Sequence, residues 1–169
     1  MSRHAAIGIG SNLASRWGGR RETILHATEA VAALDGVRLL RSSDLIETEP
    51  VGGPEQGRFL NGALLLEVGC GVDPAGLLAK LHAIERDHGR VRPDPIRWGP
   101  RALDLDLLML GDLVRTEEAP ILPHPRMHER EFVLEPLASI APDLLHPLTG
   151  RSVAEHLHEL LGNSEQAAS

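Results

Sequence analysis

The stretch "VRLLRSSDLIETEPVGGPEQGRFLNGALLLEVGC" (residues 37–70) decides the fold. Residues 37–49 read as a strand that runs into "PVGGPEQG" (50–57), a loop rich in Gly and Pro. Residues 58–70 read as a second long strand. Two strands joined without an intervening helix are antiparallel neighbours, so a doubly wound parallel sheet is excluded. Helices flank the hairpin on both sides. In residues 20–36, Ile24, Ala27, Val31 and Leu34 fall on one stripe and Gly36 ends the run. Before that helix, "HAAIGIG" (4–10) reads as a first strand and "SNLASRWGG" (11–19) as a turn. In residues 73–89, Asp73 is the N-cap, Pro74 the first helical residue and Gly89 the stop, with Leu77, Leu81 and Ile84 on the apolar face. Residues 103–110, "LDLDLLML", make a last strand. The C-terminal extension holds one or two short helices in 121–147 and an amphipathic helix over 152–162.

The order β-α-β-β-α-β plus an extension predicts the α+β class. The expected architecture is a ferredoxin-like sandwich, an antiparallel sheet with helices packed on its faces. One domain is expected over 1–162, with a disordered tail over 163–169. At 169 residues, 42% apolar and 24% charged, the chain has the composition of a soluble globular domain with a proper core. No run approaches the ~20 apolar residues of a membrane span, and the start does not resemble a signal peptide. Cys70, the single cysteine, excludes an internal disulfide framework, fits a reducing cytoplasm and reads as a buried small apolar group. A net charge of −7 argues against nucleic-acid binding. Lys80 is the only lysine, so no phosphate loop of the G-K-[ST] type exists. "GIGSNL" has two of the three glycines of a dinucleotide fingerprint and lacks the acidic partner.

The last strand is chemically odd. Within "WGPRALDLDLLMLGD" (98–112), Asp104 and Asp106 interrupt an apolar run. Unpaired buried carboxylates are costly. On a strand the two acids share a face, with Cα atoms roughly 6.5–7 Å apart, while Leu103, Leu105 and Leu107 face the core. Two acids without nearby His or Cys suit Mg²⁺ held jointly with substrate phosphates; the plain alternative is a solvent-facing strand with two surface acids. Five arginines, Arg86, Arg90, Arg92, Arg97 and Arg101, lead into the pair. Guanidinium forks match phosphate oxygens, so the combination suits a polyphosphate with its metal, and a polar loop of this kind can close over it.

These residues resemble a known signature. "GRVRPDPIRWGPRALDLDLLMLGD" (89–112) is similar to that of the 6-hydroxymethyl-7,8-dihydropterin pyrophosphokinase family. "IGIGSNL" (7–13), "ETEPVGGPEQGRFLNGAL" (47–64), "IERDHGR" (84–90) and "LPHPRMHEREFVLEPLASIAPDLLHP" (122–147) extend the likeness along most of the chain. The resemblance implies transfer of pyrophosphate from ATP to the pterin hydroxymethyl group, release of AMP, two Mg²⁺ ions and a cytoplasmic monomer acting on small molecules. Carried over by residue, Asp104 and Asp106 hold the metal, and Arg90 and Arg101 stabilise the transferring group. Glu85, Arg92, Trp98, Leu107, His124 and Arg130 contact ATP. Asn61 reads the pterin edge, Phe59 and Phe132 sandwich the ring, and Thr48, Pro50 and Val51 shape the pocket. Only two Phe, two Trp and no Tyr occur in the chain, and both Phe fall at the stacking positions. Ile46, Phe59 and Pro125 depart from residues that family members carry. A non-catalytic nucleotide- or protein-binding module and a Mg²⁺-dependent phosphohydrolase are the alternatives. His82, His88, His156 and His158 read as surface residues.

Overall fold

The computed structural model describes residues 1–168. In chain order the elements are β1 (Ser2–Ser11), α1 (Arg20–Ala32), β2 (Val37–Ser42), β3 (Ile46–Thr48), β4 (Phe59–Gly69), α2 (Pro74–Asp87) and β5 (Asp104–Leu110). A single 3₁₀ turn (Met127–Glu129), α3 (Glu131–Ile140) and α4 (Val153–Ala167) follow. The sheet runs β2–β4–β1–β5, with β3 also paired to β4, and every pairing is antiparallel. The expected α+β sandwich is therefore present, with helices on both sheet faces.

The two-residue alternation of the strands makes two cores. On one face Ile7, Ile9, Leu64, Leu66, Leu103, Leu105 and Leu107 pack under Ile24, Ala27 and Val31 of α1 and Leu77, Leu81 and Ile84 of α2. On the other face Ala6, Ala63, Leu65, Leu108 and Met109 meet Val133, Leu134 and Leu137 of α3 and Val153 of α4. A bulge makes this possible. Ile7 pairs with Leu107 but Ala6 pairs with Met109, so Leu108 is an extra residue and it shares the second core with Met109. The part of that second face around Asp104 and Asp106 opens into a cavity.

Local chemistry sets the element ends. Asp73 accepts a hydrogen bond from the Gly76 N–H at 2.7 Å, with Pro74 starting α2. Ser152 and Glu155 form a capping box at α4. Three details differ from the sequence reading. The single strand expected over 37–49 is two strands, because the Ser43 hydroxyl accepts the Ala63 N–H at 2.9 Å in place of a backbone acceptor. The expected disordered tail is helical through Ala167, since nothing in "NSEQA" breaks a helix already nucleated by its capping box; Ser169 lies outside the described residues. Cys70 is exposed just past the end of β4 rather than buried. Among the described residues no helix is long and apolar enough to cross a membrane.

β4 lies inside the sheet, and its Leu64 is 1% exposed. Leu64→Ala is expected to lower unfolding free energy by about 2–5 kcal/mol through lost burial and a residual cavity, as read by urea denaturation.

Candidate active site

Strand alternation delivers both acids to one place. Asp104 pairs across the sheet with Gly10 and Asp106 with Gly8. Both carboxylates line a cavity of about 710 Å³, on the face opposite Leu103, Leu105 and Leu107. Gly10, opposite Asp104, keeps that floor open. A Cβ on Gly10 would come within 2.5 Å of the Asn61 Oδ1, so only glycine admits the Asn61 amide here. Gly10 of "GIGSNL" thus serves the cavity, a role the dinucleotide comparison did not reveal.

The acids differ electrostatically. Asp104 accepts from Arg90 Nη1 at 3.0 Å and from Arg101 Nη1 at 3.1 Å. Asp106 makes no ion pair among the described residues. Burial first, and then the Asp104 charge, push its carboxyl up to about 7, against the opposing pull of Arg130 and Arg101. Arg90 is a buried arginine, 7% exposed, and it also donates to the Leu103 carbonyl at 3.3 Å. Asp94 bonds both arginines from within the loop. The structure therefore brings Arg90, Arg101, Asp104 and Asp106 together as expected.

The remaining residues expected around ATP divide. Trp98 and Arg130 line the cavity. Glu85 does not line it: it is fully buried, its Oε1 accepts the Leu105 N–H at 2.8 Å and its Oε2 accepts Arg92 Nε at 2.8 Å. Burial raises the Glu85 pKa, while the Leu105 N–H pulls it down. Glu85 thus secures the outer edge of β5 and the start of the arginine loop, and Arg92 is engaged with it outside the cavity. Leu107 is 3% exposed in the α1/α2 core, so its side chain points away from the acids. His124 sits beside the second core, its N–H on the Leu108 carbonyl at 2.7 Å. Burial and then Arg130 depress its pKa, against the opposing pull of Asp104.

All six residues expected around the pterin line the same cavity: Thr48, Pro50, Val51, Phe59, Asn61 and Phe132. The Asn61 Nδ2 donates to Thr48 Oγ1 at 2.7 Å. The Arg130 guanidinium lies 5.7 Å from the Phe132 ring centroid. The loops around the cavity are tied together. Gln56 Nε2 donates to the Trp98 carbonyl at 2.8 Å, and Asn12 Oδ1 accepts the Arg101 N–H at 2.7 Å while its Nδ2 donates to Gln56. Trp98 has φ +56°, a left-handed conformation rare for a bulky residue and a mark of strain stored at a site. Asn12 and Gln56 were missed in the sequence, where polar residues in a turn and a Gly/Pro loop carry no distinguishing signal.

Two of the four histidines read as surface residues are buried. His88 is 1% exposed and bonds His26 Nδ1 at 3.0 Å, and His156 is 7% exposed and bonds Thr149 Oγ1 at 2.8 Å. His88 has a partner at each ring nitrogen, its Nδ1 lying 2.7 Å from the Ile84 carbonyl, and His156 has Thr149 at its Nε2, which lets these imidazoles enter the interior.

A cavity lined by two acids, by guanidinium groups and by two phenyl rings suits a transferase that works on a polyphosphate and a flat heterocycle. Residues 6–142 match the family model described as 7,8-dihydro-6-hydroxymethylpterin-pyrophosphokinase (HPPK). The chain belongs to this family. It is 42% identical over 161 residues to the 2-amino-4-hydroxy-6-hydroxymethyldihydropteridine pyrophosphokinase of Pseudomonas aeruginosa, covering 95% of this chain and 91% of that one. The enzyme of the same name from Bacillus subtilis is 43% identical over 144 residues, covering 83% and 79%. The folic acid synthesis protein fol1 of Pneumocystis carinii is 39% identical, but the chain spans only 20% of its length. A solved HPPK-DHPS in complex with substrates superposes at TM-score 0.71 with 12% identity, covering 98% of this chain and 45% of that one, and it shares the fold.

The raised Asp106 pKa has a sign. Its folded value of about 7 exceeds its ordinary 3.8, so between these values the folded protein holds the proton and the unfolded chain does not. That stabilisation is complete at low pH and is lost as pH rises through about 7. With divalent cations chelated, raising pH from about 5 to about 8 should destabilise the native protein relative to Asp106→Asn by roughly 1–3 kcal/mol. Urea denaturation at both pH values measures it, and an effect of the opposite sign rejects the assignment.

Proposed function

We infer that this protein transfers pyrophosphate from ATP to 6-hydroxymethyl-7,8-dihydropterin, giving the pterin diphosphate and AMP, in folate biosynthesis. One observation carries the reading at residue level: Asp104, Asp106, Arg101, Asn61, Phe59 and Phe132 line a single cavity. Family membership supplies the reaction, and the cavity supplies places for both substrates.

Each residue then has a task. Phe59 and Phe132 hold the faces of the pterin and Asn61 its edge, fixing the hydroxymethyl group toward the acids. Arg90 and Arg101 take phosphate oxygens and stabilise the charge of the transferring group. Trp98 and Arg130 bound the nucleotide, and His124 stands beside it. Asp104 and Asp106 would hold magnesium, and the fit rests on Asp106, a deeply set carboxylate that makes no ion pair among the described residues. When bound, Mg²⁺ offsets phosphate charge; two ions are proposed. The pterin hydroxyl attacks the β-phosphorus in line. The new O–P bond forms as the bond to the α-phosphate oxygen breaks, the hydroxyl proton passes to solvent, and AMP leaves with the former bridging oxygen. Positioning and charge supply most of the acceleration. ATP is proposed to bind before the pterin. We read the protein as a cytoplasmic monomer, a single domain that includes α4 through Ala167, with small molecules as its only substrates; the net charge of −7 opposes a nucleic-acid partner.

Incubation with Mg²⁺ and ATP, with and without the hydroxymethyl-dihydropterin, tests the reading. AMP should form only with the pterin present. Accumulation of ADP, or nucleotide hydrolysis without the pterin, would point to a phosphohydrolase, and no turnover to a binding module. Asp104→Asn and Asp106→Asn should each abolish turnover while circular dichroism shows an intact fold. Arg101→Ala should lower kcat by about 10²–10³ with little change in pterin affinity; an effect confined to pterin binding contradicts its role.

A further inference from the structure

The arginine loop carries a carboxylate that the reaction above does not use. Asp94 sits between Pro93 and Pro95, with its side chain 25% exposed. Its Oδ1 accepts Arg90 Nε at 2.9 Å, and its Oδ2 accepts Arg90 Nη2 at 3.2 Å and Arg101 Nη2 at 3.0 Å. Arg90 thus offers Asp94 the two-pronged edge that guanidinium offers a phosphate. On the other side, Arg90 and Arg101 each give an Nη1 to Asp104. The four side chains close a ring of alternating charge. One donor stays outside it: the Arg101 Nε is buried and has no hydrogen-bond partner. A buried N–H without an acceptor is costly, and Arg101 lines the cavity.

We propose that Asp94 is an internal substitute for a phosphate group, a positioning residue that orients Arg90 and Arg101 in the free enzyme and gives them up when ATP enters. The inference rests on reading those two arginines as phosphate-binding. The exchange balances charge. At rest two guanidinium groups face two carboxylates. With Mg²⁺–ATP present, phosphate oxygens replace Asp94, the Arg101 Nε gains an acceptor, and Asp104 turns from the arginines toward the cation. Because Asp94 is only four residues from Arg90, it competes at high effective concentration with any anion. A single small anion displaces it poorly, whereas a chain of phosphates with its cation displaces it well. Asp94 therefore selects polyphosphates over inorganic phosphate and keeps ATP affinity below what the two arginines alone would give.

Asp94→Asn keeps the shape and removes the charge. Isothermal titration with Mg²⁺ and α,β-methylene-ATP should show about tenfold tighter binding than the native protein, with pterin affinity unchanged. Inorganic phosphate should gain affinity as well, and Asp94→Glu should return both toward native values. The free Asp94→Asn protein should melt at a lower temperature, so affinity and stability move in opposite directions. Unchanged or weaker nucleotide binding overturns the proposal, since a merely structural Asp94 would lose both together. Asp94→Ser serves the same test should the Asn protein fail to fold. Arg90→Ala and Arg101→Ala separate the two readings. If neither weakens the analogue, the phosphate-binding role itself fails. If both weaken it and Asp94→Asn does not tighten it, only the role of Asp94 fails.

Discussion

The structure depends on the register of β5. A strand alternates its faces every residue, so one sequence, Leu-Asp-Leu-Asp-Leu over 103–107, writes the core and the reactive floor at once. A slip by one residue would place two carboxylates among the helices and three leucines in the cavity. Two contacts prevent it. β1 pairs along one edge of β5, and the fully buried Glu85 takes the Leu105 N–H on the other. A buried carboxylate at a sheet edge is tolerable because Arg92 and that backbone N–H satisfy it. The far end of α2 is thereby tied to the strand that carries the site.

The same geometry sets neighbouring acids apart. Asp104 has two arginines and Asp106 has none within ion-pair distance among the described residues, so the second acid resists ionisation. A cation held by Asp104 and Asp106 would offset the burial and mutual repulsion at Asp106 and would compete with the guanidinium groups at Asp104. The site is charged in a way that a metal–polyphosphate pair corrects and that neither ion alone corrects fully. Opposite charges supplied together fit better than either supplied first.

Much of this was legible in the sequence because it rests on short-range rules. The cap at Asp73, the stripe on α1 and the alternation at 103–107 are local, and the structure reproduces them. The six pterin-side residues converge on one cavity although they come from two distant stretches of chain; only the family resemblance linked them beforehand. What escaped depends on partners far along the chain. Glu85 looked like a ligand contact until Leu105, twenty residues on, took its oxygen. Leu107 faces the core because alternation at β5 applies to it as it does to Leu105. His88 and His156 read as surface residues because a histidine's burial is decided by partners such as His26 and Thr149 that no period announces. Asp94 carried no signal within "RPDPI", since its meaning lies in Arg101.

The cavity's two halves are not mechanically independent. The loop bearing Pro50 and Val51 touches the arginine loop through the Gln56–Trp98 hydrogen bond, and Gly52 lies so close to the indole that an added Cβ would sit 2.9 Å from it. Asn12 joins both loops to the end of β1, holding the Arg101 backbone with one atom of its amide and Gln56 with the other. A nucleotide that moves Arg101 therefore pulls on Gln56, and a pterin that moves the 50–57 loop pulls on Trp98. The strained backbone at Trp98 stands at this junction, where a shift in one loop can be absorbed or passed on. Coupling of this kind needs no long pathway: the side chains of Asn12 and Gln56 connect the arginine loop to the 50–57 loop.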